Sequence, residues 1–413
     1  MKKIVLIVPA LMALAAASCT KSEVLETNSG EIRFNVVANK ATKADAIYDN
    51  SNFDQFTVYA STAEGTVSDR TTYINGDVVN KVSGVWENVS GTRFWPETAL
   101  NFYALRNADG FVWNPAEAHS FDFSVASEVS KQKDLLYAVK LNQTRTTTET
   151  GTGEEPVVVE GAPVPLNFRH ALSQIVFQAK NTNPNLYVEV SGVKLVNVVN
   201  TATYTLPEID TNGVLVEEGD NAGGPTDPAA TARGSWDIAD DAAKNIAYEI
   251  NLVPDSDDQP IALVGNADAT ALPLGTTSEA MMLIPQKTEA WAPATHPAPD
   301  VEGQTGSYLM VNCVIWNVAG ESHSDNDLVI WGAKSEDKYT AKPAWVAIPA
   351  AFDWKEGFKY IYTFIFNNGG GYDPDPDPDD PDPQPAIIPI DFKVSVDDFN
   401  VVNGDVDLDV PEA

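Results

Sequence analysis

The sequence predicts an all-β protein of sandwich or barrel type, and three observations predict it. Short runs in which apolar residues alternate with polar ones recur along the chain. Clusters of Gly, Asn, Asp, Ser and Pro separate them, the residues that supply turn geometry. An apolar stripe at helical spacing is almost missing, and only Asp237 to Ala243 reads as a short helix. Many short strands punctuated in this way pack as sandwiches or barrels.

The strands follow in order. Glu31 to Ala38 reads EIRFNVVA and places Ile32, Phe34 and Val36 on one face. Gln55 to Ala60 does the same with Phe56, Val58 and Ala60. Leu100 to Leu105, Tyr187 to Val198, Leu328 to Trp331, Trp345 to Ile348 and Lys359 to Phe366 continue the pattern. Two polar stretches, Thr144 to Glu160 and Glu217 to Arg233, read as surface loops or insertions.

A chain of 413 residues is too long for one ordinary core and suits two domains with tails. At 43 % hydrophobic residues it is globular in composition. Acidic residues outnumber basic ones 59 to 26, a formal charge of −33. Such a field repels nucleic acid and anionic headgroups and disfavours both as partners.

The first segment sets the compartment. Met1-Lys2-Lys3 is a basic n-region, and Ile4 to Ala17 is an apolar stretch of signal-peptide length, short for a membrane span. Ala16-Ala17-Ser18-Cys19 then fits a lipoprotein cleavage site, with lipid on the Cys19 sulfur. Lipid is the only membrane anchor the sequence offers. Cys313 is the other cysteine of the chain, in the apolar run YLMVNCVIW, and reads as a buried, inert thiol.

The far end is distinctive. Asp373 to Pro385 reads DPDPDPDDPDPQP. Proline fixes φ and removes donors, and each residue before it is pushed to an extended form. The run is therefore an extended spacer of about 40 Å. Its aspartates invite a calcium hypothesis, but calcium loops need a tight turn that this run cannot make. Beyond it, Ile387 to Val396 alternates Ile388, Ile390, Phe392, Val394 and Val396 on one face. A strand beyond a stiff spacer is expected to stand away from its own domain and serve a neighbour.

Read together, several segments resemble the fimbrillin family, the subunits of type V pili. They are Ile32 to Val36 followed by Ala41-Thr42-Lys43-Ala44, Phe53 to Tyr59, Phe94-Trp95-Pro96 and Leu100 to Ala104. Asp134 to Ala138, Leu166 to Ile175, Met282 to Gln286, Ile348-Pro349 and Trp354 to Thr363 complete the series. The resemblance implies two transthyretin-like β-sandwich domains on a lipidated precursor at the outer membrane. It implies a first strand removed by an Arg- or Lys-directed surface protease, here after Lys40 or Lys43. It also implies that a strand from another subunit fills the groove, so that related subunits are the partners and adhesion to a host or bacterial surface ligand is the service. The expected organisation is a signal peptide at 1–18, a propeptide with the removable strand at 19–43, and sandwiches at 44–206 and 207–372. The spacer at 373–385 and a donor strand at 386–413 follow.

Enzyme chemistry has little to stand on. His119, His170, His296 and His323 are scattered, and no Walker, H-E-x-x-H, G-x-S-x-G or G-x-G-x-x-G pattern occurs. No cofactor or metal is implied. His170 reads as a hydrogen-bonded structural histidine, and His323 as part of a solvated turn. The rival function is a surface lipoprotein that binds glycans on exposed aromatics. Trp113 and Trp291 sit in loop-like settings and are the residues it would use; most of the nine tryptophans read as core.

Overall fold

The computed structural model describes residues 30–38, 53–149, 157–211, 233–240, 242–255, 257–275, 280–292, 306–320, 322–333, 338–373 and 388–398. The ordered elements are strands, with two three-residue 3₁₀ turns and no α-helix among the described residues.

The strands run β1 Phe34–Ala38, β2 Gln55–Thr62, β3 Thr72–Val82, β4 Val85–Asn88, β5 Leu100–Arg106 and β6 Ser120–Ser124. Next come β7 Leu136–Gln143, β8 Thr146–Glu149, β9 Val157–Glu160, β10 Val164–His170, β11 Ser173–Asn181 and β12 Leu186–Val198. The chain continues through β13 Thr201–Thr205, β14 Ser235–Asp237, β15 Ile246–Asn251, β16 Ile261–Val264, β17 Leu272–Leu274 and β18 Met281–Leu283. It ends with β19 Tyr308–Asn317, β20 Leu328–Trp331, β21 Ala344–Pro349, β22 Phe358–Gly371 and β23 Ile388–Asp398.

Two groups of sheets result. In the first, a seven-stranded sheet ordered β1-β10-β7-β5-β2-β3-β4 packs one face on a small sheet ordered β14-β13-β6. Its other face is rolled over a second core. Phe53 and Phe56 there meet both Trp86 of β4 and Phe168 of β10, at centroid distances of 4.7–5.5 Å, so the two ends of the sheet come together. In the second group, β17-β11-β22-β23 faces a sheet ordered β15-β12-β19-β20. Ile175, Phe177 and Phe364 from one side and Val188, Val190, Leu309 and Val311 from the other are buried in that interface.

The period-two reading holds along β2 and fails at β20, where Leu328 and Ile330 are 43 % and 48 % exposed. Phe56, Val58 and Ala60 are 1 %, 0 % and 0 % exposed, the buried face of β2. Three other expectations change. The Asp237 to Ala243 segment is no helix: β14 ends at Asp237, and a turn follows in which the Ala242 N–H donates to the Ala239 carbonyl at 2.9 Å. Within the polar stretch Thr144 to Glu160, β8 and β9 pair antiparallel, because the β-branched Thr of one and Val of the other favour strand over loop.

The third change concerns the division at 206/207. β11 and β12 lie before it, yet they pair with β17, β18, β22, β15, β16 and β19 of the second group. β13 and β14 straddle it and pair with each other, and β13 pairs with β6 of the first group. The chain thus enters the second group at Ser173, returns, and enters again at Ile246. Turn residues near Pro207 mark where a strand ends; they carry no record of which sheet the next strand joins. One continuous buried cluster runs through both groups, and the rolled core of the first group lies apart from it.

The segment Leu166 to Ile175 builds the crossing between groups. His170 Nδ1 meets Asp134 Oδ2 at 2.7 Å, the structural role expected of that histidine. The Leu172 carbonyl accepts from Gly357 N–H at 3.1 Å, and Ser173 Oγ donates to the Lys355 carbonyl at 2.8 Å. Buried Cys313 is 0 % exposed, and burial pushes its thiol pKa up, which leaves it inert.

Candidate functional site

The site is the seat of the first strand. β1 is an edge strand, parallel to β10, with Phe34 opposite Val164 and Ala38 opposite Phe168. Its alternation sends Ile32 (4 % exposed) and Phe34 (6 %) into the rolled core, with Val36 half-buried beside them. Phe34 makes edge contacts with Phe56 and Phe102, at 5.8 and 5.9 Å between centroids. Aromatic pairs in this geometry add to the burial itself.

Hydrogen bonds hold the segment from two sides. On one side the Val164 N–H donates to the Arg33 carbonyl at 2.7 Å, and Arg33 Nη2 donates to the Gly161 carbonyl at 2.9 Å. On the other side, the Ile32 N–H donates to the Arg93 carbonyl at 2.8 Å and the Trp95 N–H to the Gly30 carbonyl at 2.7 Å. These flank the antiparallel bridge Glu31–Phe94. The first segment is thus a plug between β10 and residues 93–95.

Residues 93–95 are themselves braced. Arg93 clamps Asp77 of β3 through Nε–Oδ2 at 2.6 Å and Nη2–Oδ1 at 2.9 Å, and Asn88 Nδ2 donates to the same carboxylate at 2.9 Å. The Arg93 guanidinium holds the Asp77 carboxyl below its ordinary range. The Tyr73 hydroxyl donates to the Phe94 carbonyl. Sequence reading quoted Phe94-Trp95-Pro96 but had no means of pairing it with Gly30 to Ile32. The second side of the groove was therefore missed.

Lys40 and Lys43 lie outside the described residues, as do Cys19 and all but the first residue of the Asp-Pro spacer.

The C-terminal strand departs from expectation. β23 does not stand away from its own chain; it pairs antiparallel with β22, from Phe358 opposite Asp398 to Phe366 opposite Ile390. The spacer joins neighbouring ends of two antiparallel strands, so it need not carry β23 anywhere. β22 offers a long edge whose Tyr360, Tyr362, Phe364 and Phe366 are buried. Ile390 is fully buried there, while Val394 on the same face is 44 % exposed.

The residues of the rival function are placed differently from expectation too. Trp291 is 3 % exposed, packed on Tyr308 and Tyr372. Trp113 is half-buried, stacked between Tyr59 and His119 at 5.3 and 4.8 Å, and its Nε1 donates to Thr72 Oγ1 at 3.0 Å. All nine tryptophans are buried or half-buried, so no pair of exposed indoles shares a face. His323 stacks on Tyr187 at 3.9 Å and meets Asp327 Oδ2 at 3.0 Å, a turn partly packed against aromatic residues instead of freely solvated.

None of the curated proteins matches this sequence. Among solved structures, a fimbrial protein from Bacteroides vulgatus aligns over 90 % of this chain and 99 % of its own, with a TM-score of 0.50 and 14 % identity. The tip fimbrial protein Mfa3 from Porphyromonas gingivalis aligns over 89 % of this chain and 99 % of its own, with a TM-score of 0.37 and 9 % identity. At 14 % identity the likeness to the Bacteroides vulgatus protein is one of fold. The fimbrillin-like family model matches residues 41–376, most of the sequence, and the chain belongs to that family.

Proposed function

We propose that the chain is a structural subunit of a surface pilus, delivered as a lipidated precursor to the outer membrane and assembled by strand exchange in support of adhesion. A surface protease cuts after Lys40 or Lys43 and frees the first strand. The C-terminal strand of another subunit then fills the groove, its alternating residues Ile388 to Val396 facing inward. The observation that carries this reading is the form of the first segment: a short edge strand that completes a core and is held by backbone bonds to two other segments. Losing it uncovers Ile32, Phe34 and Val36 seats worth about 1.5–3 kcal/mol per large side chain, enough to favour capture of a replacement. Family membership and the likeness in fold to a fimbrial protein support the same reading.

Replacing both lysines, Lys40→Gln and Lys43→Gln, should leave the protein folded and monomeric, as seen by electron microscopy and native gels. Filaments of normal length from that variant would refute the scheme. The anchor is tested separately: mass spectrometry of the membrane fraction should find Cys19 as the modified first residue. An unmodified protein that starts elsewhere and needs no detergent would remove the lipid from the proposal.

A further inference from the structure

The groove and the C-terminal strand carry the same pattern. Residues 32–36 read Ile-Arg-Phe-Asn-Val, and residues 390–394 read Ile-Asp-Phe-Lys-Val. We infer that the groove's partner is a second copy of this chain, whose β23 enters in one register: Ile390 in the seat of Ile32, Phe392 in that of Phe34, Val394 in that of Val36. The inference rests on the pilus-subunit reading above and adds to it the identity of the partner and the alignment of the strand.

Side-chain shape selects the register. Phe34 sits edge-on between Phe56 and Phe102, a seat made for a ring. A slip of two residues one way puts Ile390 there and Phe392 in the half-buried Val36 seat; a slip the other way puts Phe392 in the Ile32 seat. Either leaves a void at one seat and overfills another, and both faults destabilise. A slip of one turns Asp391 and Lys393 into the core. In the matched register those two replace Arg33 and Asn35, the half-buried positions between the inward seats.

The backbone agrees. Pro389 falls at the place of Glu31. There the bonds to residues 93–95 are made by the Gly30 carbonyl and the Ile32 N–H, on either side of Glu31. Proline has no N–H to give, and none is called on at that position. A slip that put Pro389 at Ile32 would lose the bond to the Arg93 carbonyl. The entering strand runs parallel to β10, as β1 does.

The strand's place in its own sheet is the poorer fit. Its ladder with β22 breaks between Phe366 and Gly371, beside Pro389, and Val394 is 44 % exposed. The Val36 seat offers that side chain more cover than its own sheet gives it.

Cysteine pairs read the register directly. Asn35 lies opposite Pro165, so Lys393 of the entering strand should lie opposite Pro165 of the receiving chain. Full-length chains with Cys19→Ser and a specific protease site inserted within 39–43 are cut, then mixed as single variants. Pro165→Cys with Lys393→Cys should give disulfide-linked dimers at least about ten-fold above Pro165→Cys with Asp391→Cys or Ser395→Cys, because a disulfide needs close Cα atoms. Each variant is first checked for filament formation alone. A maximum at 391 or 395 overturns the register and spares the pilus reading. Filaments with no cross-link at any of the three overturn β23 as the entering strand. Filaments that form only when a different subunit is added overturn the second copy as partner.

Discussion

Deletion of residues 373–413 should yield a folded protein, no larger than a dimer, that melts lower than the full chain and forms no filaments. The melting change follows from where β23 sits. It covers the β22 edge from Phe358 to Phe366 and buries Ile390 completely. Losing one fully buried isoleucine costs about 1.5–3 kcal/mol. The edge hydrogen bonds pass to water at a small net cost each, and the freed strand regains conformational entropy. The net loss is roughly 2–4 kcal/mol, which for a unit of this size lowers the melting temperature by about 5–15 °C. The core between β11–β22 and β12–β19 is made without β23, so the fold survives. The bare β22 edge is a template for pairing, so dimers are the largest species expected. Two measurements decide the outcome. Electron microscopy showing long filaments would eliminate β23 as the linking strand. A melting temperature equal to that of the full chain would show that β23 contributes nothing to its own sheet.

The deletion separates two jobs that the sequence had presented as one. Alternation at Ile388, Ile390, Phe392, Val394 and Val396 announced a strand, and the strand is there. The sequence could not announce its partner, because β22 offers an edge that only the folded sheet defines. The same limit applied at β11 and β12. The apolar run of β12 was read as a strand and that of β11 was not, and their neighbours lie up to 185 residues away in sequence, beyond any local signal. The groove was half legible. Ile32, Phe34 and Val36 were visible by period, whereas the support at 93–95 depends on an Arg93–Asp77 clamp with no pattern of its own. Where sequence pointed to exposed indoles it misjudged loops: Trp113 and Trp291 sit outside strands yet pack into aromatic clusters.

The least legible feature is the carboxyl that joins the two groups of sheets. Glu356 lies in the turn before β22, 4 % exposed, and accepts hydrogen bonds from Tyr137 of β7 and, at 3.1 Å, from Tyr204 of β13. Those partners are 219 and 152 residues away in sequence. Burial pushes the Glu356 pKa up to about 7, against the pull of the two hydroxyls and the charges of Arg169 and Arg233. Burial likewise raises both tyrosines and lowers Arg169.

A raised carboxyl pKa fixes the sign of a pH effect. In the unfolded chain the group titrates near 4.5, so between that value and about 7 the folded protein keeps a proton the unfolded chain has released. Unfolding free energy then falls as pH rises. The contribution is full below about 4.5, declines through the window, and is gone above about 7, a span worth roughly 3 kcal/mol at 1.36 kcal/mol per pKa unit. Many other carboxylates titrate nearby, so the difference between wild type and Glu356→Gln isolates this one. Glutamine keeps an acceptor for one tyrosine and offers a donor to the other hydroxyl. Near pH 4.5 the two proteins should unfold at nearly the same denaturant concentration. At pH 8 the glutamine variant should be the more stable, by about 2–3 kcal/mol. Glu356→Ala, by contrast, should lose stability at every pH, since two buried hydroxyls lose their acceptor at about 1–3 kcal/mol each. A gap between wild type and the glutamine variant that is constant from pH 4.5 to 8 would mean that Glu356 does not change charge in the window. The junction would then be a fixed hydrogen-bonded joint whose strength is indifferent to pH.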